Sequence, residues 1–142
     1  MKKYGSAKWQ GDLKTGKGQV STESGVLQDA AYGFNTRFED GPGTNPEELI
    51  GAAHASCFSM ALSNVLGQSD LVPDQIQTKA EVTLDKDGDS FKISAVHLTV
   101  EAAVPNASEE DFNKAANTAK ENCPISKLFN ADITMDVKFT GA

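Results

Sequence analysis

The sequence predicts an α+β fold, built as one domain over residues 1–142. Three observations carry this. Gly-rich hairpin signals fill the N-terminal part, a charge-free helical stretch runs from Leu49 to Leu66, and two long alternating segments meet at Asp87-Gly88. A chain of 142 residues buries roughly 68–70% of its unfolded surface, so it folds without a disulfide staple.

The elements follow in order. "GDLKTGKGQVSTES" reads as a hairpin turning near Thr15-Gly16. "AYGFNTRFE", rich in aromatics and Thr, reads as a third strand, and "DGPGT" then breaks the chain. The long helix has a clear start. Asn45 is placed to be the N-cap, Pro46 suits the first helical position, and Glu48 completes a capping-box pattern. Thr44 with Glu47 offers the same pattern one residue earlier. Both carboxylates sit where the helix dipole favours negative charge. Gly67 is the expected stop.

In "DQIQTKAEVTLDKD", Ile76, Thr78, Ala80, Val82 and Leu84 share one face of a strand. In "SFKISAVHLTVEAAV", Phe91, Ile93, Ala95, His97 and Thr99 alternate with Lys92, Ser94, Val96, Leu98 and Val100. Asp87-Gly88 between them is a hairpin signal. "SEEDFNKAANTAKEN" reads as a second helix, capped by Ser108, with an apolar stripe of Phe112, Ala115, Ala116 and Ala119. Pro124 cannot continue that helix, so "NCPISKLFNA" opens a fresh turn, and "DITMDVKF" closes as a strand.

Charge narrows the function classes. The net charge is −7, and the thirteen basic residues are scattered without a run. Nucleic acid and anionic membrane surfaces are therefore unexpected partners. The N-terminal "MKKYGSAKWQGD" lacks the apolar segment of a signal peptide, so a cytoplasmic chain is expected. The window from Leu49 to Leu66 is long enough to raise the question of a membrane span. It carries Gly51, His54, Ser56, Ser59, Ser63 and Asn64, which favours a buried helix of a soluble protein. Trp9 and His97 read as packing and structural residues.

The chemistry-bearing residues are Cys57 and Cys123, the two cysteines. In a cytosolic chain, a redox or catalytic pair is the functional reading and a structural disulfide is unusual. Cys123 precedes Pro124 and is placed as an N-cap, where free N–H groups favour a thiolate. Cys57 lies mid-helix, where desolvation raises a thiol's pKa unless a cation reaches it. His54 stands three residues before it on the same face, so a Cys57/His54 hydrolase is one alternative. A zinc site from His54, His97, Cys57 and Cys123 is another, although its spacing fits no standard zinc pattern. A third is a non-catalytic structural stress protein or small-molecule binder with buried, inert cysteines.

"YGFNTRFE", "GTNPEELIGAAHASCFSMAL" and "CPISKL" occur in this order. Together they resemble the osmotically inducible OsmC/organic hydroperoxide resistance (Ohr) family of peroxidases, most closely its OsmC branch. The likeness runs over essentially the whole chain. It implies that Cys57 is the peroxidatic thiol and Cys123, in the Cys-Pro step, the resolving thiol. It assigns the site carboxylate to Glu47 and the site guanidinium to Arg37. Ser56 stands where the family pattern has Ala. The resemblance further implies reduction of organic hydroperoxides, and less efficiently of hydrogen peroxide, without metal or haem. A Cys57–Cys123 disulfide would then be reduced by an external dithiol such as a lipoyl group on a carrier protein.

The residue types suit that chemistry. A thiol of ordinary pKa is only a few per cent ionised at neutral pH. Lowering it by about 2 units requires roughly 2.7 kcal/mol of preferential thiolate stabilisation. A guanidinium held bidentately by a carboxylate is suited to supply this. Glu47 and Cys57 lie about 15 Å apart along a straight helix, too far for one compact site within it. The charge-free helix also has more apolar surface than one small sheet covers. Both points favour an intertwined, isologous homodimer, with antiparallel sheets packed on long central helices and sites at the interface. The family's dimer agrees with this expectation.

Overall fold

A computed structural model describes residues 1–128. The strand expected in "DITMDVKF" lies outside the described residues. In chain order the elements are β1 (Gly5–Gln10), β2 (Lys17–Thr22), β3 (Ala30–Tyr32), α1 (Phe34–Phe38), α2 (Pro46–Gly67), β4 (Gln75–Asp87), β5 (Ser90–Ala103), α3 (Glu109–Asn122) and α4 (Pro124–Lys127). The described residues divide into two compact units: 1–53 with 79–98, and 54–78 with 99–128. The α+β reading stands.

In the first unit, β1 and β2 pair antiparallel from Gly5↔Thr22 to Gln10↔Lys17. The intervening turn is tied by Asp12, whose carboxylate accepts from the Thr15 amide and hydroxyl, both at 2.7 Å. β3 adds to β2 over Gly18↔Tyr32 to Val20↔Ala30. Trp9 packs on Tyr32 with ring centroids 5.7 Å apart, and its indole N–H donates to the Gly11 carbonyl.

The stretch expected as a third strand is divided. Only Ala30–Tyr32 is strand, and Phe34–Phe38 is a helical turn. Propensity favoured a strand because aromatics and Thr suit one. Local contacts favour the turn. The Thr36 hydroxyl accepts from the Gly33 amide at 2.8 Å and donates to the Gly33 carbonyl at 2.9 Å. Phe34 and Phe38, four residues apart, stack at 4.9 Å on one helix face. Gly43 then takes φ +131°, and a side chain there would collide with the Ala31 carbonyl.

The start of α2 matches the sequence. The Asn45 side chain accepts from the Glu48 amide at 2.8 Å and donates to the Thr36 carbonyl at 3.1 Å. Thr44 donates to the Glu48 carboxylate at 3.0 Å, so Glu48 turns to Thr44 instead of closing the box on Asn45. The helix continues without interruption to Gly67. By length and composition it is apolar enough to cross a bilayer. One line along it is nevertheless buried as in a core helix: Gly51, His54, Phe58, Leu62 and Leu66. This is an i+3/i+4 ladder. Ala52, Ser63 and Met60, the last 76% exposed, lie on the side left uncovered.

Phe58, Leu62 and Leu66 pack in the second unit with Ala115, Ala119 and Cys123 as its core. Ser108 caps α3 by accepting from the Asp111 amide at 3.1 Å. Ala115 and Ala119 are the most buried of the expected α3 stripe. Along β4 the half-buried positions are those expected, Ile76 to Leu84. Along β5 they are Ile93 and then Val96, Leu98 and Val100. The covered face therefore changes parity between Ile93 and Val96. His97 is consequently exposed.

Candidate active site

Each unit holds one pair of the residues singled out in the sequence. In the first unit the pair is Arg37 and Glu47. The helical turn α1 presents Arg37, and the first turn of α2 presents Glu47. Arg37 Nη2 lies 2.6 Å from Glu47 Oε1, and Nε lies 3.0 Å from Oε1 and 3.3 Å from Oε2. Two N–H groups of the guanidinium fork are thus spent on one carboxylate, which fixes its plane. Nη1 makes no hydrogen bond among the described residues. The Glu47 side chain is 12% exposed and that of Arg37 is 37% exposed, so the charge keeps an open side. The guanidinium also lies 5.5 Å from the centroid of the Phe38 ring. Trp9, Leu13, Tyr32, Phe34 and Pro46 line a recess of about 310 Å³ with Arg37 at its wall.

In the second unit the pair is Cys57 and Cys123. Cys57 is half-buried at the middle of α2, and Cys123 is fully buried. Cys123 closes α3, its amide donating to the Ala119 carbonyl at 2.9 Å, and it is also the N-cap of α4, with Pro124 at the first helical position. Pro124 therefore sets Cys123 at a break between two helices, as the sequence indicated. The two thiols are near enough for each to shift the other's protonation, and no disulfide joins them.

Their protonation differs. Burial pushes the Cys57 thiol up, the contact with Cys123 pushes the same way, and the Ile125 amide only partly offsets this. Burial also acts to raise Cys123. It is outweighed by the hydrogen bond from Cys57, by the Ser126 and Ile125 amides and by the Ser126 hydroxyl, which hold Cys123 below its usual value. Of the pair, Cys123 is the thiol favoured to ionise first. Both directions follow the sequence reading of an N-cap thiol and an unaided mid-helix thiol.

His54 does not pair with Cys57, which removes the contact that a Cys57/His54 hydrolase needs. It is 6% exposed, and its Nε2 lies 2.9 Å from Ser126 Oγ. Burial lowers its pKa, so it is held neutral. Ser126 is the site residue that the sequence reading passed over. The available signal was its place three residues after Cys123 in "CPIS", matching His54 three residues before Cys57. Among the described residues no three His, Cys, Asp or Glu side chains gather as a metal site.

Comparison with known proteins identifies the family. The OsmC-like protein family matches residues 39–138. Peroxiredoxin OsmC of Escherichia coli K12 is 54% identical over 134 residues, covering 94% of each chain. The organic hydroperoxide resistance protein OhrB of Bacillus subtilis is 29% identical over 124 residues, covering 85% of this chain and 89% of its own. The crystal structure of OhrB matches with a TM-score of 0.66 at 27% identity, over 91% of this chain and 92% of that one. An OsmC-like protein of unknown function from Vibrio cholerae shares the fold, with a TM-score of 0.71 at 15% identity over 90% and 93% of the two chains. With a family match across both compact units and a peroxiredoxin identical at over half its positions, the chain belongs to the OsmC-like family and is a peroxidase.

Proposed function

We propose that the enzyme reduces organic hydroperoxides to alcohols, and hydrogen peroxide less efficiently, through Cys57 and Cys123. The observation that carries this reading is the nearness of the two thiols, each shifting the other's protonation, one half-buried and one fully buried. A Cys57 thiolate attacks the peroxide, the O–O bond breaks, and the departing alkoxide takes a proton to leave as alcohol. Cys57 becomes a sulfenic acid. Cys123, already nearby, displaces the hydroxyl and closes the disulfide. An external dithiol, a lipoyl group on a carrier protein, reduces that disulfide by exchange.

Arg37 is the group suited to holding Cys57 as a thiolate and binding the peroxide oxygens, with Glu47 orienting it. Burial and the neighbouring Cys123 leave Cys57 the weaker acid of the pair, so stabilising its thiolate falls to the guanidinium. We place the two pairs together at the interface of an intertwined homodimer. Three features support this. α2 is unbroken, so about 15 Å of helix axis separates Glu47 from Cys57. An uncovered side of α2 carries Met60. The apolar walls of the recess beside Arg37 suit an alkyl group. We read the chain as a single functional domain, because α2, β4 and β5 each run through both compact units.

Hydrogen peroxide gains nothing from apolar walls, whereas a bulky alkyl group does. Stopped-flow second-order rates for cumene hydroperoxide and hydrogen peroxide test the preference. The expected result is a rate at least tenfold higher for cumene hydroperoxide, about 1.4 kcal/mol of differential transition-state binding. Equal rates contradict it.

A further inference from the structure

His54 and Cys57 lie three residues apart on α2, and Cys123 and Ser126 lie three residues apart across the start of α4. The two segments meet at both rungs. Cys57 and Cys123 are near enough to shift each other's protonation, and His54 Nε2 lies 2.9 Å from Ser126 Oγ. Ser126 also lies within electrostatic reach of the Cys123 thiol, three residues after it at the start of α4, so the His54–Ser126 hydrogen bond stands beside the two thiols.

The direction of that hydrogen bond follows from the other ring nitrogen. His54 Nδ1 is buried and has no hydrogen-bond partner among the described residues. A buried orphan N–H costs more than a buried bare lone pair. The ring hydrogen therefore belongs on Nε2, where it is donated to Ser126 Oγ. A hydroxyl has one hydrogen. With its oxygen accepting from His54, Ser126 is free to direct that hydrogen at the Cys123 sulfur. In the opposite tautomer Ser126 would spend it on the imidazole and offer Cys123 only lone pairs. Cys123 is 0% exposed, so water cannot solvate a thiolate there and internal donors must do so.

We propose that His54 and Ser126 are positioning residues for the resolving half of the reaction: His54 holds the Ser126 hydroxyl so that its hydrogen stabilises the Cys123 thiolate as it attacks oxidised Cys57. This rests on the two-cysteine reading above. In the step, Cys57–SOH and Cys123–SH become Cys57–S–S–Cys123 and water. The S–S bond forms, the S–O and S–H bonds break, and the Cys123 proton ends on the departing oxygen. The Cys57 sulfur is reduced by one electron equivalent and the Cys123 sulfur is oxidised by one.

The titratable group facing Cys123 from α2 is Cys57, with His54 behind Ser126. Lys120 of α3 and Lys127 of α4 are exposed. The test separates sulfenic acid formation, which depends on peroxide concentration, from disulfide closure, which does not, across pH 5 to 9. Ser126→Ala is expected to slow closure about tenfold at neutral pH and to raise the midpoint of that step by about one unit, since one unit is a tenfold change in thiolate. Raising the pH should restore the wild-type closure rate. Ser126→Thr keeps the hydroxyl and should behave as wild type. His54→Gln keeps an N–H donor and should retain most of the rate, whereas His54→Leu should follow Ser126→Ala. Alkylation of Cys123 in a Cys57→Ser background should show the same upward shift with Ser126→Ala. A closure rate depressed equally at every pH, or an unmoved midpoint, overturns the positioning role and leaves the pair as packing. A wild type that forms no sulfenic acid removes the two-cysteine reading and the resolving role with it. Normal sulfenic acid with an unmoved midpoint removes the role of the pair alone.

Discussion

Arg37 spends Nε and Nη2 on Glu47 and keeps an open side. That division of labour sets the first expectation. Arg37→Ala should lower the second-order rate with organic hydroperoxide about 100-fold at neutral pH, the loss that follows when a thiol returns about two units toward its ordinary pKa. Arg37→Lys should recover little, because a point charge cannot make the bidentate contact that fixes the fork. Rates measured against pH check this: the deficit should shrink as the pH rises and Cys57 ionises unaided. At this scale the sequence was legible where a residue's neighbours in the chain determine its state. Cys123 before Pro124 read as an N-cap thiol, and Cys57 in mid-helix as a thiol raised by burial, and both directions hold. The engagement of His54 by Ser126 was not legible, because the partner lies 72 residues away and no local period links them.

At the scale of elements, capping chemistry was the most readable feature and β propensity the least. Asn45 and Pro46 start α2 as their spacing indicates, while the Glu48 carboxylate turns to Thr44 and leaves the expected capping box open. Asn45 also ties that start to α1 through the Thr36 carbonyl. Asn45→Ala should therefore cost about 1 kcal/mol or somewhat more, the usual loss for an N-cap plus that link, measured as a shift in urea midpoint at unchanged slope. The turn in "YGFNTRFE" was misread as strand, although Phe34 and Phe38 stand at helical spacing and Thr36 closes on Gly33. In five residues, aromatic and Thr content outweighed a single i,i+4 pair in the reading, whereas local hydrogen bonds decide the structure. The turn matters because it carries Arg37 to Glu47.

At the scale of the whole molecule, α2 explains why a helix without charge from Leu49 to Leu66 holds a thiol at its centre. One line of it is buried within the chain, and the side carrying Met60 is exposed, the side that the proposed homodimer would cover. If Arg37 and Cys57 serve one site across a two-fold interface, mixing Arg37→Ala with Cys57→Ser should restore activity. Each mixed dimer would then hold one site with both residues intact, bringing the mixture to about a quarter of wild type when subunits exchange at random. No restoration after verified exchange would place the two residues in the same protomer. The fold class was legible from periodicity, because helix and strand patterns are long in this chain. The covered face of β5 was not, because the parity change between Ile93 and Val96 depends on packing and not on alternation.

The measurement that bears most directly on the two-cysteine mechanism is intact mass after one equivalent of cumene hydroperoxide, on wild type, Cys57→Ser and Cys123→Ser. The expected result is an internal disulfide in wild type, a trapped sulfenic acid in Cys123→Ser, and no oxidation in Cys57→Ser. A wild type that stays reduced for minutes, or a Cys57→Ser chain oxidised at Cys123 as fast as wild type, would contradict it.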